Sequence, residues 1–194
     1  MFYFSSDIHF GDEPTLKTEQ RPFKNVKAFD KYVIKLWNKQ ATKNDTIFVV
    51  GDFADCDGAQ SESWRKTLGY VKKIKAKVVL IMGNNEQRIV KYFFENSFEK
   101  FRQFCLNLGF KDVKNNANVN IKGHPFYLVH KPVHCKIEML NLFGHTHRSS
   151  GIYKPYGFNV GCDLNHFRLY SEDDIMHLLN LKEKFWDKDK DIAF

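Results

Sequence analysis

The stretch "NLFGHTHRSS", residues 141–150, places two histidines on either side of one threonine, directly after a short apolar run that ends in glycine. Side chains two residues apart in an extended chain point to the same side, so the imidazoles of His145 and His147 can face one point. Neutral imidazole nitrogens are common metal ligands. This stretch therefore predicts a strand that delivers metal ligands at its end, and further ligands must come from other segments.

Six segments rich in β-branched and aliphatic residues predict strands, and most are nearly continuous apolar runs, which is typical of sheets covered on both faces. They are "FYFSSD" from Phe2, "TIFVVGD" from Thr46, "KVVLIMGN" from Lys77, "FYLVH" from Phe126, "NLFGH" from Asn141 and "GFNVGCD" from Gly157. Helical periodicity predicts helices at 25–40 and 61–74, two pieces within 87–110, and one helix at 171–186. The alternation predicts a single α/β domain over residues 1–194, with a frayed end at 187–194.

Length and composition are those of a globular protein with one sizeable core, since the chain has 194 residues, 43% of them hydrophobic. The net charge of +7 favours polyanions, nucleotides or phosphate esters as partners, although such a surplus is also common among proteins that bind none. We find neither a long apolar run nor a basic segment before an apolar N-terminus, so we expect a cytoplasmic protein without a membrane partner. The four cysteines form no CxxC pair, which argues against a thiolate zinc site.

Polar residues that could carry chemistry follow the predicted strand ends. They are Asp7, His9, Asp52, Asn84, Asn85, Glu86, His130, His145 and His147. Taken singly, an aspartate after a strand is usually a turn or a helix cap, but together these residues indicate a ligand site at the carboxyl ends of the strands. Carboxylates, imidazoles and an amide oxygen suit Mn²⁺, Fe²⁺, Zn²⁺ or Ni²⁺, and the set is large enough for two ions that share a bridging carboxylate.

The blocks "SDIHFGD", "VVGDFAD", "MGNNE", "VHKP" and "FGHTH", in this order and spacing, resemble the calcineurin-like metallophosphoesterases, especially the small single-domain bacterial and phage-type members. "RPFKNV" at Arg21 and "NVGCD" at Asn159 also resemble that subgroup. The resemblance implies a four-layer α/β/β/α sandwich of two mixed β-sheets flanked by helices. It further implies one metal ion held by Asp7, His9 and His147, a second held by Asn84, His130 and His145, and Asp52 as the bridge between them.

The activity that the resemblance implies is hydrolysis of a phosphate ester by metal-activated hydroxide at a centre of two divalent metal ions. Mn²⁺ is our first candidate, with Fe, Zn or Ni as alternatives. We expect a phosphorylated small molecule or a nucleotide as substrate, and a phosphodiester more than a general phosphomonoester. A nucleic-acid substrate stays open but is not indicated, because no additional domain to guide a duplex is evident. The sequence leaves the oligomeric state open.

One position departs from the family pattern. In the usual G-N-H-[DE] block the histidine is expected to protonate the leaving alkoxide, and here that position is Asn85. An amide donates a hydrogen bond but no proton, and loss of a general acid costs about 10²–10⁴ in rate when the leaving group is basic. Three alternatives follow: substrates with less basic leaving groups, a substitute acid for which His134 is the candidate, or a metal- and nucleotide-binding protein with little turnover.

Four further residues are candidates for supporting roles. Asp55 and Asp163 could hold ligand imidazoles through their second nitrogens, or could cap strands and helices instead. Lys131 and Arg21 could contact a substrate phosphate, or could lie on the solvated surface as basic residues usually do.

Overall fold

The computed structural model describes residues 1–56, 62–149, 151–153 and 157–185. Within these ranges the strands are β1 Phe2–Ser5, β2 Thr46–Val50, β3 Lys77–Ile81, β4 Asp112–Lys114, β5 Ala117–Ile121, β6 His124–Leu128, β7 Leu140–Phe143, β8 Ile152–Tyr153, β9 Gly157–Asn159 and β10 Tyr170–Ser171. The helices are α1 Glu13–Thr18, α2 Val26–Gln40, α3 Ser63–Leu68, α4 Asn84–Phe93, α5 Phe98–Leu108 and α6 Glu172–Phe185. Short 3₁₀ turns span Gly69–Lys73, Pro132–His134 and Cys162–Asn165.

The strands form two five-stranded mixed sheets. The first has the order β10-β1-β2-β3-β4, in which β10 is antiparallel to β1 and the other neighbours are parallel. The second has the order β5-β6-β7-β9-β8, in which the central strands are parallel and the two outer pairs antiparallel. Two mixed sheets flanked by helices confirm the predicted α/β sandwich.

The continuous apolar runs of the first sheet arise because both of its faces are covered. In β2, Ile47 and Val49 belong to the core under the helices, whereas Phe48 and Val50 belong to the core that the two sheets share. Successive side chains of a strand point to opposite faces, so a strand buried on both faces needs an apolar residue at every position.

The helices bury one apolar stripe each, as their periodicity predicts. In α2, Phe29, Val33 and Trp37 are fully buried against the first sheet, and the indole of Trp37 donates a hydrogen bond to the Phe167 carbonyl at 3.1 Å. The spacing of four residues keeps these side chains on one side of the helix. The opposite side of α2 is left to solvent.

The predicted start of the last helix is confirmed. The backbone N–H of Ser171 donates to the Asp174 carboxylate at 2.7 Å, and the N–H of Asp174 donates to the Ser171 hydroxyl at 3.1 Å. This reciprocal pair satisfies two backbone donors at the helix start.

The sequence prediction missed α1 and four of the strands, namely β4, β5, β8 and β10. These elements are short, or lie at a sheet edge where one face is open to solvent, so their apolar signal is weak. In β5, Asn118 and Asn120 are exposed between more buried neighbours. The predicted helix at 61–74 is α3 followed by a 3₁₀ turn. The predicted frayed end at 187–194 lies outside the described residues.

None of the helices in the described ranges combines the length and the apolar character that crossing a membrane requires.

A first prediction concerns the core between the sheets. Phe126 is fully buried there, so we expect Phe126→Ala to lower the free energy of unfolding by about 3–5 kcal/mol through lost burial and a residual cavity. The measurement is equilibrium denaturation in urea. His124→Ala in the same strand is the control, because His124 is exposed and should change stability by less than about 0.5 kcal/mol. Equal losses in the two variants would contradict this core assignment.

Candidate metal centre

The structure brings the seven candidate ligands together at the carboxyl ends of five strands. Ligand atoms of Asp7, His9 and His147 lie within 4.8 Å of one another, and so do those of Asp7, Asp52 and His130. The two groups share Asp7, so they form one continuous cluster.

The remaining two candidates, Asn84 and His145, lie against His130. The Asn84 side-chain oxygen is 3.0 Å from Nε2 of His130, and the ring centroids of His130 and His145 are 5.1 Å apart. The cluster therefore has one histidine pair, His9 and His147, on one side and a second pair, His130 and His145, on the other.

Asp52 lies between the two sides. Its Oδ2 is 3.5 Å from Nε2 of His9 and 3.5 Å from Nε2 of His130. Its Oδ1 accepts a hydrogen bond from the backbone N–H of Asn85 at 2.9 Å, at the start of α4. One carboxylate oxygen is thus fixed by the helix, while the other faces an imidazole of each group.

Three imidazoles are oriented through their Nδ1 atoms. Nδ1 of His9 lies 2.9 Å from the Asp12 carboxylate and Nδ1 of His130 lies 2.8 Å from the Val50 carbonyl. Both acceptors require a proton on Nδ1, which leaves Nε2 as the nitrogen with a lone pair. Nδ1 of His147 lies 3.3 Å from the Asp163 carboxylate.

Nε2 of His9 is a buried polar atom that has no hydrogen-bond partner among the described residues. A buried acceptor without a partner is costly, and a bound cation would satisfy it. Together with the neighbouring carboxylates and imidazoles, this atom shows that the donor set fits a divalent metal ion.

The electrostatics of the cluster also favour a cation. Burial opposes the charged form of Asp52, but its hydrogen bond and charge interaction with His130 outweigh burial and lower the pKa of this carboxyl. Burial likewise opposes the imidazolium of His130, yet Asp52 and Asp7 raise the pKa of His130 to about 9. The pocket thus stabilises positive charge where its candidate ligands meet.

The backbone turns sharply at the ligands. Five of the candidate ligands have positive φ: Asp7 at 57°, His9 at 54°, Asp52 at 52°, His145 at 71° and His147 at 45°. This region is sparsely populated by residues other than glycine, and such strain persists only where the surrounding structure enforces it. The turns let strands that end at one edge direct their next side chains into a single crevice.

Two glycines permit the strand ends to approach closely. A Cβ atom on Gly144 would lie 1.9 Å from the Ser6 hydroxyl and 2.5 Å from an Asp7 carboxylate oxygen. A Cβ atom on Gly83 would lie 2.2 Å from Oδ1 of Asp52. The glycine that ends the apolar run before His145 is therefore needed for this packing.

Glu86 fixes the turn that carries Asp52. Its buried carboxylate accepts backbone hydrogen bonds from Asp52 at 2.9 Å, Phe53 at 3.0 Å and Gly83 at 2.9 Å. Burial and the neighbouring Asp52 raise the pKa of Glu86 to about 7. The structure therefore places the acid that follows Asn85 behind the ligands, where it holds two strand ends together.

The two candidates for the catalytic step lie in different surroundings. Asn85 is buried and its amide donates to the Ala54 carbonyl at 3.0 Å. The same amide is 3.3 Å from Nδ1 of His9, but that nitrogen already donates its proton to Asp12. His134 is exposed in its 3₁₀ turn, and its imidazole forms no hydrogen bond with the described residues.

Arg21 is neither a surface residue nor a free phosphate ligand. Its guanidinium forms two hydrogen bonds of 2.8 Å with the Asp163 carboxylate and donates at 2.7 Å to the carbonyls of Asp7 and Ile8. Neither side chain of this ion pair has exposed surface. Both sequence interpretations of Arg21 were wrong, because its role is to hold the backbone of the first ligand turn.

The supporting residues were predicted only in part. Asp163 contacts His147 as expected, whereas Asp55 accepts a hydrogen bond from Ser63 at the start of α3 at 3.3 Å. Asp12, the partner of His9, was missed, although "DEPT" is a recognisable helix start with proline in the first turn. Glu19, 3.8 Å from Nδ1 of His147, gives no comparable sequence signal.

Comparisons with known proteins identify the family and similar folds. A profile of the family described as calcineurin-like phosphoesterase matches residues 1–193. An uncharacterized protein of Methanocaldococcus jannaschii is 25% identical over 188 residues, covering 91% of this chain and 90% of its own. A protein of unknown function from Aquifex aeolicus has a similar fold, with a TM-score of 0.65, 20% identity and coverage of 92% and 98% of the two chains. A novel archaeal phosphodiesterase gives a TM-score of 0.47 at 15% identity, with 84% of each chain covered.

The buried ion pair generates a second prediction. Arg21→Met leaves the Asp163 carboxylate without its cation, so we expect unfolding at pH 7 to require about 3–5 kcal/mol less. Burial acts to raise the pKa of Asp163, but hydrogen bonds from His147 and Arg21 lower it from 3.8 to about 2. The stabilisation that the ionised Asp163 contributes is lost as the pH falls from its usual pKa of 3.8 to about 2. The difference in unfolding free energy between wild type and variant should therefore shrink below about pH 4.

The control for this experiment is Arg102→Met. Arg102 forms a partly exposed ion pair with Asp112 at 2.9 Å, and solvent screening leaves such a pair with little effect on stability. Denaturant titrations of both variants across pH give the comparison. A loss for Arg21→Met no larger than that for Arg102→Met would contradict the supporting role of the buried pair.

Proposed function

Because this chain belongs to the calcineurin-like phosphoesterase family, we propose that it is a dinuclear-metal-dependent phosphoesterase that acts on a nucleotide-like or phosphodiester substrate. Asp7, His9 and His147 would hold one divalent ion, and Asn84, His130 and His145 the other. Asp52 would bridge them. Mn²⁺ is the first candidate, because carboxylate, imidazole and amide ligands without thiolate suit it, as they also suit Fe, Zn and Ni.

One observation carries the dinuclear proposal, namely the position of Asp52. Its Oδ2 is equidistant, at 3.5 Å, from Nε2 atoms that belong to the two different ligand groups. A carboxylate placed in this way can offer its Oδ2 atom to both sides of the cluster. A centre for one ion would need only one of the two histidine pairs beside it.

The chain's own residues would bind and orient the ester. When bound, two divalent ions would neutralise phosphate oxygens, align the ester and make a nucleophile from water available near neutral pH. Arg88, exposed on the first turns of α4, donates to the Asn85 side-chain oxygen at 3.4 Å. From there its guanidinium would be available to a phosphate oxygen of the ester. Lys131, partly buried directly after His130, offers a second cation.

The surroundings of Asn85 favour a substrate with a weakly basic leaving group. The amide is buried, already bonded to the Ala54 carbonyl, and has no proton to deliver. Substrates whose leaving group departs without protonation, such as aryl phosphate esters, phosphoanhydrides and some nucleotide diesters, tolerate this arrangement. His134 is the candidate for a substitute acid, since its exposed turn lies next to Lys131.

The second candidate function is a metal- and nucleotide-binding protein with little turnover. The replacement of the usual proton donor by the buried Asn85 favours it. In that case the complete ligand set would serve binding alone.

The third prediction is that wild-type protein with Mn²⁺ hydrolyses an aryl phosphodiester and a 2′,3′-cyclic nucleotide. Asp52→Asn should abolish turnover, because the amide removes the negative charge that both ligand groups face. An alkyl monoester should react about 10²–10⁴ more slowly than its aryl counterpart. Asp173→Asn, on the exposed first turn of α6, is the control and should retain full activity.

Two results would count against the enzyme. Activity that survives in Asp52→Asn would exclude the bridging role of this carboxylate. Wild-type protein that binds Mn²⁺ and a nucleotide but turns over none of these substrates would favour the binding protein instead.

A further inference from the structure

A groove separate from the candidate metal centre runs between α2 and the α3–3₁₀ segment. Its volume is about 1000 Å³. One wall carries Lys27, Lys31, Lys35 and Lys39, which follow one another at intervals of four residues along α2. Because each interval corresponds to a rise of about 6 Å, these ammonium groups are spread along nearly the whole helix, which is about 22 Å long.

The opposite wall carries Lys66, Lys73 and Lys75. All seven groove lysines are exposed, and none forms an ion pair with a described carboxylate. Elsewhere on the described surface, some lysines, such as Lys17 and Lys100, have acidic partners, and others, such as Lys43, do not. What distinguishes the groove is that it brings seven such exposed ammonium groups together in one concave surface.

Among the described lining residues Asp30 is the single acid, and it is buried and bonded internally. Its carboxylate accepts a hydrogen bond from the backbone N–H of Gly11 at 3.2 Å. Counting it with the seven lysines gives the described lining six net positive charges. The groove is therefore strongly basic.

The row of lysines along α2 lowers the stability of the folded chain. Like charges four residues apart on a helix repel each other, and α2 carries three consecutive pairs of this kind. Alternating acidic and basic residues at these exposed positions would remove the repulsion. Binding of a polyanion would instead compensate it, with release of the counterions that surround the polymer.

We propose that this groove binds the phosphate backbone of a single-stranded nucleic acid. Lysine ammonium groups bind phosphates as point charges, and the described lining presents seven of them. Between the lysines lie the apolar side chains of Val26 and Ile34 and the partly exposed ring of Tyr70. This apolar strip suits sugars and base faces, which an inorganic polyphosphate does not have.

One end of the groove reaches the loop that carries the candidate ligands. Gly11, two residues after His9, lines the groove and packs on Thr67 of α3, where a Cβ atom would lie 2.4 Å from Cγ2 of Thr67. Binding in the groove goes beyond the proposed hydrolysis and does not depend on it. Loss of one activity can therefore be distinguished from loss of the other.

The fourth prediction is tested by fluorescence anisotropy with a labelled oligothymidylate of about 12 nucleotides. Full-length protein is titrated in EDTA, so that no hydrolysis occurs, at several salt concentrations. The groove variant is the triple substitution Lys31→Gln, Lys35→Gln and Lys66→Gln. The matched control replaces Lys43, Lys91 and Lys111, which are exposed outside the groove, by glutamine.

We expect wild type and the control to bind with similar affinity, and the groove variant to bind at least about tenfold more weakly. The slope of log affinity against log salt is negative, and its magnitude should be smaller by about 2 in the groove variant. The reason is that each of the three lost phosphate contacts on a single strand contributes about 0.7. Asp52→Asn should bind as wild type does. Circular dichroism verifies that the triple variants remain folded.

Three results would overturn the proposal. The first is that wild-type protein does not bind the oligonucleotide. The second is that the groove and control variants lose affinity equally, which would indicate that binding depends on charge dispersed over the whole surface. Displacement of the oligonucleotide by polyglutamate or by inorganic polyphosphate at equal charge concentration would assign the groove to a different polyanion.

Discussion

The constraint on which this structure depends is the fixed position of one buried carboxylate, that of Asp52, between imidazoles of two ligand groups. Its Oδ2 faces His9 and His130 at 3.5 Å each, and its Oδ1 is held by the first turn of α4. For the carboxylate to sit there, β2 must end in a left-handed turn, and the neighbouring strand end must carry a glycine at position 83. The position of Asp52 therefore depends on the order of the strands, on the conformation of the turn after β2 and on the start of α4.

Buried ionisable side chains behind the candidate ligands keep this arrangement in place. Glu86 ties the turn after β2 to the turn after β3, and the Arg21–Asp163 pair ties the turn after β1 to the segment that follows β9. Such groups contribute little net stability compared with apolar residues of similar size, because their desolvation is costly. Their value lies in fixing ligand turns that the backbone alone disfavours. The molecule thus combines ordinary apolar packing in its cores with polar supports at one edge.

The sequence was sufficient for the central strands and for predicting that the candidate ligands lie close together. Strands buried on both faces, such as β2 and β3, have continuous β-branched runs, and the polar residues that follow them mark a shared edge. Contacts between distant segments could not be predicted in the same way. Arg21 looks like any surface arginine until Asp163, 142 residues later, folds against it. The lysine groove combines a helix at 26–40 with residues 66–75, and neither segment alone predicts it.

The measurement that tests the central claim most directly is an anomalous difference map at the manganese edge from crystals grown with Mn²⁺. We expect two peaks, one on each side of the Asp52 carboxylate: one beside His9 and His147 and the other beside His130 and His145. A single peak would contradict the bridging role of Asp52. So would a peak among Glu19, His147 and Asp163, whose ligand atoms also lie within 4.8 Å of one another.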